Sequence, residues 1–145
     1  MKKCYLDSNV LIYFKDESSP YFTKSKNLLI KLAGQNVSLF VSPLCLDEFL
    51  HALNQSLGQS QKTSSHYSSL KKALHSILDL PLLTIINPPT AAVAQTKVLS
   101  FMEKFALRPR DAYHLLTMKT YHIDGFATFD RDFEKVFAAH FLERA

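Results

Sequence analysis

Five acidic side chains lie where the predicted elements would bring them to one edge of a sheet. One directly follows the first apolar segment, two follow a late apolar segment, and two lie in the first two turns of separate helices. Because ligands of an open parallel sheet bind beyond the carboxyl ends of its strands, these carboxylates could meet there. Like charges that close repel unless a cation lies among them. The five residues are Asp7, Glu48, Asp111, Asp130 and Asp132.

The cation that suits this set of side chains is hard and divalent. Carboxylate oxygens without a supporting cage of Cys or His favour Mg²⁺ or Mn²⁺ over zinc. The chain has only Cys4 and Cys45 and no CxxC motif, which is too few for a zinc knuckle. We expect both to be reduced thiols in the core of a cytoplasmic protein.

Each acid also has a purely structural explanation, which the residues alone leave open. Asp7 could cap the helix that follows it, and Asp111 could be an ordinary first-turn acid. Glu48 could lie on a solvated helix face, and Asp130 and Asp132 could simply form a turn. These explanations weaken together, because five of the thirteen acids would fall on one edge.

Composition and charge exclude several classes of protein. Of the 145 residues 47% are hydrophobic, which is typical of a globular domain, and no apolar run approaches the ~18 residues of a membrane span. The three glycines, Gly34, Gly58 and Gly125, are too far apart for a dinucleotide loop or a phosphate-binding loop. Polar residues 7–9 interrupt the apolar N-terminal segment, so we expect no export signal. The net charge of +4 permits a nucleic-acid partner without requiring one.

Short apolar segments alternate with helical segments along the chain, which predicts an α/β domain with a mostly parallel sheet. Pro20, Ser42-Pro43 and Pro109 mark predicted helix starts. Thr90 is expected to cap a further helix, and Gly34 to end one. The predicted strands span residues 4–6, 37–41, 82–86 and 125–128, with an edge strand at 141–142. The predicted helices span residues 10–14, 20–32, 43–57, 67–78, 90–105 and 109–121, with a loop at 58–65.

Four short motifs, in their order and spacing, resemble those of PIN-domain nucleases. The first is CYLDSNVLI at residues 4–12, and the second is DEF at residues 47–49. The third is RPRDAYHL at residues 108–115, and the fourth is FATFDRDF at residues 126–133. Each motif alone is weak, but the four in order are fairly specific and span almost the whole chain.

The resemblance implies a fold, an activity and a cofactor. PIN domains are three-layer α/β/α sandwiches with a short, mostly parallel central sheet, so residues 1–145 are expected to form a single PIN-like nuclease domain. The family consists of Mg²⁺- or Mn²⁺-dependent ribonucleases, and its bare bacterial and archaeal members are largely VapC-type toxins of toxin–antitoxin pairs. The family varies over which acid of the last motif serves. By this resemblance the acidic quartet is Asp7, Glu48, Asp111 and Asp130, with Asp132 as a possible fifth.

The expected chemistry is hydrolysis of RNA phosphodiester bonds. Two divalent ions ~4 Å apart can hold the attacking and leaving oxygens of such a reaction. We expect Asp7 and Asp111 to be the main metal ligands, and Asp130 or Asp132 to hold a second ion or its waters. Glu48 would orient or deprotonate the attacking water. The products would then carry a 5′-phosphate and a 3′-hydroxyl.

Other residues of the motifs are expected to support the site or to contact substrate. The resemblance makes Ser8 and Thr128 supporting hydroxyl groups, and Asn9 matches the usual asparagine of the family. Arg110 adjoins an acid of the site and could be a local ion-pair partner instead of a substrate contact. Basic residues that flank the motifs could bind the phosphate backbone, and they are Lys15, Arg108, Arg110 and Arg131.

The partners follow from charge and from the resemblance. Outside the five acids, 17 basic residues stand against eight acidic ones, which suits a polyanionic substrate such as RNA. The resemblance adds a cognate antitoxin that covers the acidic edge, and a second copy of the chain in a homodimer. A housekeeping RNA-processing nuclease would have the same active site, so the residues do not separate it from a toxin.

Three rival functions compete with this hypothesis. A non-catalytic nucleic-acid-binding scaffold could keep the fold, but it would have no reason to retain repelling charges. A phosphatase with a nucleophilic aspartate in the first motif would need a second aspartate where Asn9 stands. A carboxylate-bridged di-iron protein would need four long helices, and the predicted strands argue against that architecture. The acid–histidine pairs with the i, i+3 spacing of such a site are Glu48 with His51 and Asp111 with His114.

Overall fold

The computed structural model describes residues 1–58 and 63–145, so residues 59–62 of the predicted loop lie outside the described residues. The described residues form five strands, seven helices and a 3-10 turn at Arg131–Phe133. The strands are β1 (Lys3–Leu6), β2 (Ser38–Val41), β3 (Leu83–Ile85), β4 (Gly125–Ala127) and β5 (Glu143–Arg144). The helices are α1 (Ser8–Lys15), α2 (Phe22–Gly34), α3 (Pro43–Ser56), α4 (Ser64–Leu78), α5 (Ala92–Phe105), α6 (Pro109–Thr120) and α7 (Glu134–Ala138).

The five strands form one parallel sheet in the order β3-β2-β1-β4-β5. The predicted three-layer α/β/α fold with a parallel central sheet is therefore confirmed. Because connections between parallel strands are right-handed in nearly all proteins, the strand order implies that the helices linking β1, β2 and β3 lie on one face of the sheet and those leading to β4 and β5 on the other. The strand order reverses between β1 and β4, which is where open α/β sheets bind their ligands.

Two predicted helix starts position acids of the candidate site. Ser42 caps α3, because its hydroxyl oxygen accepts the backbone N–H of Cys45 at 3.4 Å. The other helix, α6, begins at Pro109, as predicted. Glu48 therefore lies in the second turn of α3, and Asp111 lies in the first turn of α6.

Two other predicted helix starts are wrong. Pro20 lies in a turn that is closed by the backbone N–H of Phe22, which donates to the carbonyl of Ser19 at 3.0 Å, and α2 begins only after this turn. Thr90 does not cap α5, since no side chain accepts a hydrogen bond at that helix start. The side-chain amide of Gln95 instead donates to carbonyl groups that precede α5, at 2.7 and 3.3 Å.

The scarcity of glycine is met by other residues in the left-handed backbone conformation. Helix α2 ends at Gly34, as predicted, but the residue in the left-handed conformation is Asn36, with φ of 55°. The next backbone N–H donates five residues back to α2 at 3.1 Å, which is the pattern of a Schellman motif. His122 after α6 and His140 after α7 have φ of 52° and 51° and end their helices in the same way.

The core lies between the sheet and its two helical layers. Tyr5, Phe126 and Phe133 are fully buried, and the rings of Phe126 and Phe133 pack edge to face with centroids 4.7 Å apart. Cys4 and Cys45 are buried and free, as predicted. Within the described parts of the chain, no helix is both long enough and apolar enough to cross a membrane.

The edge strand lies slightly later than predicted. The apolar residues 141–142 face the core, and the ring of Phe141 packs against Phe105 with centroids 5.2 Å apart. Pairing with β4 begins at Glu143, whose backbone N–H donates to the carbonyl of Asp124 at 2.8 Å. Because Phe141 and Leu142 are used to cover the core, the hydrogen bonds between β5 and β4 begin only after them.

The N-terminus is fixed to the sheet by the side chain of Asp124. Its carboxylate accepts the backbone N–H groups of Lys2 and Lys3 at 2.9 and 2.8 Å. Burial alone would raise the pKa of Asp124, but these two N–H groups outweigh burial and lower it below its usual range. A group with a lowered pKa in the folded state stabilises the fold above its unfolded pKa, and this contribution is lost as the pH falls.

We predict that Asp124→Ala lowers the free energy of unfolding by about 1 kcal/mol at pH 7, because two charge-assisted hydrogen bonds at an exposed position are lost. The difference from the wild type should shrink below about pH 4, where the carboxylate becomes protonated. Urea unfolding at pH 7 and below about pH 4 measures this difference. The control for loss of one charge is Glu103→Ala, at an exposed position of α5. An equal effect of the two substitutions at pH 7 would contradict the prediction.

Candidate active site

The carboxylate of Asp7 is buried at the carboxyl end of β1, where 8% of the residue is exposed. The backbone N–H of Asp7 donates to the carbonyl of Ala127 in β4 at 3.0 Å, so Asp7 lies where the strand order reverses. Its side chain accepts hydrogen bonds from the Asn9 amide at 2.7 Å, from the Ser8 hydroxyl at 3.3 Å and from the Thr128 hydroxyl. These donors stabilise a buried negative charge.

The explanation of Asp7 as a helix cap is wrong. Asp7 occupies the N-cap position of α1 with an extended backbone, but its side chain accepts no capping hydrogen bond from that helix. The side chain points instead toward the Asn9 amide and toward Thr128 at the end of β4. The Asp7 carboxylate therefore accepts hydrogen bonds that connect the end of β1 to the end of β4.

Thr128 and Asn9 join the loop after β4 to the start of α1. The Thr128 hydroxyl oxygen accepts the Asn9 amide at 3.1 Å and the backbone N–H of Asp130 at 2.9 Å. The side-chain amide oxygen of Asn9, Oδ1, accepts the backbone N–H of Phe129 at 3.2 Å. The carboxylate of Asp130 in turn accepts the backbone N–H of Asp132 at 2.9 Å, which starts the 3-10 turn. The backbone around Asp130 is thus fixed relative to Asp7.

Glu48 meets two side chains of α6. One carboxylate oxygen lies 3.0 Å from a guanidinium nitrogen of Arg110, and the other lies 3.7 Å from Nε2 of His114. His114 and Asp111 are separated by one turn of the same helix. Helix α6 therefore supplies both an acid of the site and two groups that approach a second acid.

The acids share one cavity of about 440 Å³. Its walls come from the end of β1, the start of α1, the first turns of α3 and α6, and the loop after β4. Since one water molecule occupies about 30 Å³ in the liquid, there is room for hydrated ions. The acids that line the cavity are Asp7, Asp47, Glu48, Asp111 and Asp130.

Two of these acids, Asp7 and Asp111, have a raised pKa. Burial raises the pKa of Asp7, and the neighbouring Glu48 raises it further, while Thr128 acts against them. Burial also raises the pKa of Asp111, together with the charges of Asp130 and Asp132. A cation in the cavity would relieve both effects, because it favours the charged form of each carboxylate.

Glu48 and His114 shift in the directions expected of a charged pair. Burial alone would raise the pKa of Glu48, but His114, Ser8 and Arg110 outweigh burial and hold it below its usual range. Burial alone would lower the pKa of His114, but its contacts with Cys45 and Glu48 raise it to about 10. Glu48 is thus ionised at neutral pH and can accept a proton or a hydrogen bond.

The donor set fits a hydrated, hard cation. Among the residues that the structure describes, no three His, Cys, Asp or Glu side chains converge closely enough to enclose a metal ion directly. Mg²⁺ usually keeps several of its waters and binds through one or two carboxylates, so it does not require a closed cage. Carboxylates around a cavity that also has room for water suit this mode of binding.

The family profile of the PIN domain matches residues 4–138. The chain belongs to the PIN-domain family. A curated relative, Ribonuclease VapC2 of Methanocaldococcus jannaschii, is 24% identical over 140 residues, which cover 92% of this chain and 89% of that protein. The resemblance inferred from the four motifs is thereby confirmed.

Solved structures share the fold of this PIN domain. VapBC2 from Rickettsia felis, bound to a DNA fragment from its promoter, matches with a TM-score of 0.69 at 16% identity, covering 99% of this chain and 97% of that one. VapC20 of Mycobacterium tuberculosis, a toxin that cleaves the sarcin–ricin loop, matches with a TM-score of 0.65 at 15% identity, and the match covers 90% of this chain and 92% of that one. At these identities the likeness shows the fold alone.

Some predicted residues lie at the rim of the PIN-domain cavity or away from it. Asp132 does not line the cavity, and its carboxylate lies 3.7 Å from the guanidinium of Arg108, whose side chain is 81% exposed. Arg131 is also exposed. Lys15 borders a different cavity, between α1 and α3. The di-iron hypothesis is wrong, because α3 and α6 pack around a parallel sheet and not in a four-helix bundle.

Several residues of the site were not anticipated from the sequence. Asp47 and His51 line the cavity, although the nuclease hypothesis assigned a role in that helix only to Glu48, and His51 was considered only in the di-iron alternative. Behind the cavity, side chains from β1, α3 and α6 form a buried polar network whose partners are distant in sequence. Its members are Tyr5, Ser42, Cys45 and His114.

We predict that Asn9→Ala lowers the free energy of unfolding by about 1–2 kcal/mol, because three hydrogen bonds are lost: one to Asp7 and two that link the start of α1 to the loop after β4. Chemical denaturation measures the loss. The matched control is Asn27→Ala, at an exposed position of α2, which should change stability by less than about 0.5 kcal/mol. If the two variants were equally stable, the bridging role of Asn9 would be refuted.

Proposed function

We propose that this PIN domain is a Mg²⁺- or Mn²⁺-dependent endoribonuclease. The observation that carries the proposal is the shared cavity, which is lined by acids from the end of β1, from α3 and α6, and from the loop after β4. A cluster of repelling carboxylates, of which Asp7 is buried, lowers stability, and binding of divalent cations offsets that repulsion. The name of the Methanocaldococcus jannaschii relative supports RNA as the substrate.

Asp7 and Asp111 are the proposed main ligands of the ion. Both line the cavity, and both carboxyl groups have a raised pKa that a cation would lower. When bound, the ion would supply charge neutralisation at the phosphate and activation of a water molecule. The chain itself fixes Asp7 by three hydrogen bonds from Ser8, Asn9 and Thr128, so this ligand is already oriented.

Glu48 is the proposed acceptor for the attacking water. Its carboxylate is ionised at neutral pH and lies on the wall of the same cavity as Asp7 and Asp111. A carboxylate at this position can orient the water by accepting its hydrogen, and can take its proton as the phosphorus–oxygen bond forms.

Asp130 is a better candidate than Asp132 for the fourth acid. Asp130 lines the cavity and is fixed by its backbone hydrogen bond to Thr128. Asp132 faces Arg108 instead. Asp132 would then act at a distance, through the charge it adds near Asp111.

Exposed arginines at the rim are the proposed contacts to the RNA backbone. Arg108 and Arg131 have the exposure that phosphate contacts need. Arg110 is 60% exposed and lies 3.0 Å from Glu48, so its first role is to pair with that acid. Aromatic rings can stack on bases of single-stranded RNA, but Tyr13 and Tyr113 near the motifs have partners within the chain. Tyr13 stacks on Tyr21, and the hydroxyl of Tyr113 donates to Gln95.

We further propose that the chain is the toxin of a toxin–antitoxin pair in the cytoplasm. The supporting observations are the VapC name of the curated relative and the VapBC, FitAB and toxin–antitoxin complexes among the similar structures. The partner would be an antitoxin that covers the acidic cavity, and the free chain would form a homodimer. A short upstream gene that overlaps this one and encodes a DNA-binding N-terminus would favour this role over RNA processing.

We predict that the purified chain cleaves RNA only with Mg²⁺ or Mn²⁺, leaving 5′-phosphate and 3′-hydroxyl ends, and that Asp7→Asn lowers the rate at least about 100-fold. Gel assays with end-labelled RNA, with and without EDTA, measure cleavage and the chemistry of the ends. The physical reason is that the neutral amide removes the charge that holds the cation.

The matched control is Asp79→Asn, which removes one exposed charge far from the cavity and should leave the rate unchanged. Inducing the same variants in cells tests the toxin role, where only the wild type and Asp79→Asn should stop growth. Cyclic 2′,3′-phosphate products, or equal toxicity of a folded Asp7→Asn variant, would contradict the metal-nuclease proposal.

Binding of the cation should also be visible without activity. At a Mg²⁺ concentration about tenfold above its Kd, the free energy of unfolding of the wild type should rise by about 1.4 kcal/mol. Without metal, Asp111→Asn should be as stable as the wild type or slightly more stable, because a repelling charge is gone. Its response to Mg²⁺ should be smaller than that of the wild type.

Thermal or urea unfolding in EDTA and in graded Mg²⁺ separates these effects, with Asp79→Asn expected to respond like the wild type. If Mg²⁺ stabilised Asp111→Asn and the wild type equally, the cation would bind elsewhere, and Asp111 would not be a ligand.

A further inference from the structure

His114 is buried at the wall of the acid cavity but points a polar atom toward it. The residue is 3% exposed. Among the described residues, Nε2 of His114 is the only buried side-chain nitrogen or oxygen without a hydrogen-bond partner. A buried polar atom that stays unpaired lowers stability by about 1–3 kcal/mol, so its retention calls for a functional reason.

The opposite side of the ring is fixed by the buried polar network. Nδ1 of His114 lies 3.0 Å from the hydroxyl of Tyr5. That hydroxyl lies 2.6 Å from the Ser42 hydroxyl and 3.2 Å from the thiol of Cys45. The imidazole also packs against the ring of Tyr5, with centroids 5.7 Å apart. The ring therefore has little freedom to turn its Nε2 edge away from the cavity.

The nearest charged group to that edge is the carboxylate of Glu48, 3.7 Å from Nε2. This distance is too long for a hydrogen bond but short enough for a strong electrostatic contact. The other Glu48 oxygen is 3.0 Å from Arg110, whose side chain is 60% exposed and therefore screened by water. Of these two basic groups that face Glu48, His114 is the buried one.

Proton positions on the ring follow from its neighbours. A bare Nε2 lone pair would repel the Glu48 carboxylate, so the favourable states carry hydrogen on Nε2. If Tyr5 donates to Nδ1, the neutral ring has its hydrogen on Nε2. If Tyr5 donates to Ser42 instead, Nδ1 donates to Tyr5, and Nε2–H requires the doubly protonated ring. In each case the N–H group on Nε2 points at Glu48.

We propose that His114, held from behind by Tyr5, is the positioning residue that orients the Glu48 carboxylate toward the attacking water. This inference rests on the proposed nuclease function, because Glu48 acts on water only in that reaction. His114 itself touches neither substrate nor ion. It acts by limiting the directions in which the Glu48 oxygens can point, and a misplacement of about 1 Å in such a group can cost about 100-fold in rate.

Two substitutions of similar size separate this role from simple packing. In His114→Gln the terminal amide reaches the position of Nε2 and can still donate toward Glu48. In His114→Asn the shorter amide reaches only the position of Nδ1, so it can bond to Tyr5 but not to Glu48. We expect His114→Asn to lower kcat about 10- to 100-fold with KM unchanged, and His114→Gln to recover most of that loss.

A double-mutant cycle with Glu48→Gln shows whether the effect passes through Glu48. Under single-turnover conditions, His114→Asn should have no further effect in the Glu48→Gln background. The same factor of loss in both backgrounds would overturn the proposal, as would a wild-type kcat for His114→Asn. A loss that His114→Gln does not recover would identify a packing role and would overturn it as well.

If His114→Asn fails to fold, Tyr5→Phe provides the second test, because it keeps the buried ring and removes only the hydroxyl behind Nδ1. We expect Tyr5→Phe to lower kcat several-fold in the wild-type background and not in the Glu48→Gln background. An unchanged kcat in Tyr5→Phe would show that the network does not position the ring.

A measurement that does not depend on activity keeps this inference distinct from the proposed function. Long-range ¹H–¹⁵N spectra of the histidine rings report which nitrogen carries hydrogen. We expect His114 Nε2 to be protonated at neutral pH and its signal to shift in Glu48→Gln. An unprotonated Nε2, or a His114 signal that does not shift in Glu48→Gln, would overturn the positioning role. An inactive wild type would contradict only the nuclease proposal.

Discussion

The buried carboxylate of Asp7 is the constraint on which the rest of the site depends. A charge in this position costs several kcal/mol unless donors surround it. The donors come from both sides of the junction between β1 and β4: Asn9 from the first turn of α1, and Thr128 from the loop after β4. The strand order, which makes β1 and β4 neighbours, therefore brings together the donors that favour the charged form of Asp7 against the effect of burial.

Helix α6 contributes both a further acid of the cavity and two basic groups that face another acid. Asp111 brings a further negative charge to the cavity, and its pKa is raised by burial and by nearby acids. One turn later on the same helix, His114 faces Glu48, and Arg110 approaches the same acid from the exposed side. Glu48 is thus paired with basic groups of the chain, whereas Asp7 and Asp111 have no cationic partner at bonding distance among the described residues. This difference suits the proposed roles, in which Glu48 acts on the water molecule and the other two acids bind the metal ion.

Local signals in the sequence predicted much of this arrangement, and long-range contacts explain what they missed. Ser42 and Pro109 specify helix starts by capping and by a fixed φ, so Glu48 and Asp111 were placed correctly. Asp7 and Asp130 each follow a strand of the parallel sheet, and this position correctly predicted that they lie at the same edge. Pro20 was misassigned because the same fixed φ also suits a turn.

The contacts between Tyr5 and His114 could not be predicted, because they join residues more than 100 positions apart. Only two weak signals pointed to them: Tyr5 stands two residues before Asp7, and His114 stands one helical turn after Asp111. The proposal of Asp130 over Asp132 as the fourth acid likewise rests on the loop geometry, in which Asp130 lines the cavity and Asp132 lies near Arg108.

The claim that the acid cavity binds a divalent cation is tested most directly by anomalous X-ray diffraction from crystals grown with Mn²⁺. We expect an anomalous peak inside the cavity, with Asp7 and Asp111 as the nearest side chains, and its loss in crystals of Asp7→Asn. A cavity without a peak at millimolar Mn²⁺, or a peak that persists in Asp7→Asn, would contradict the proposed metal site.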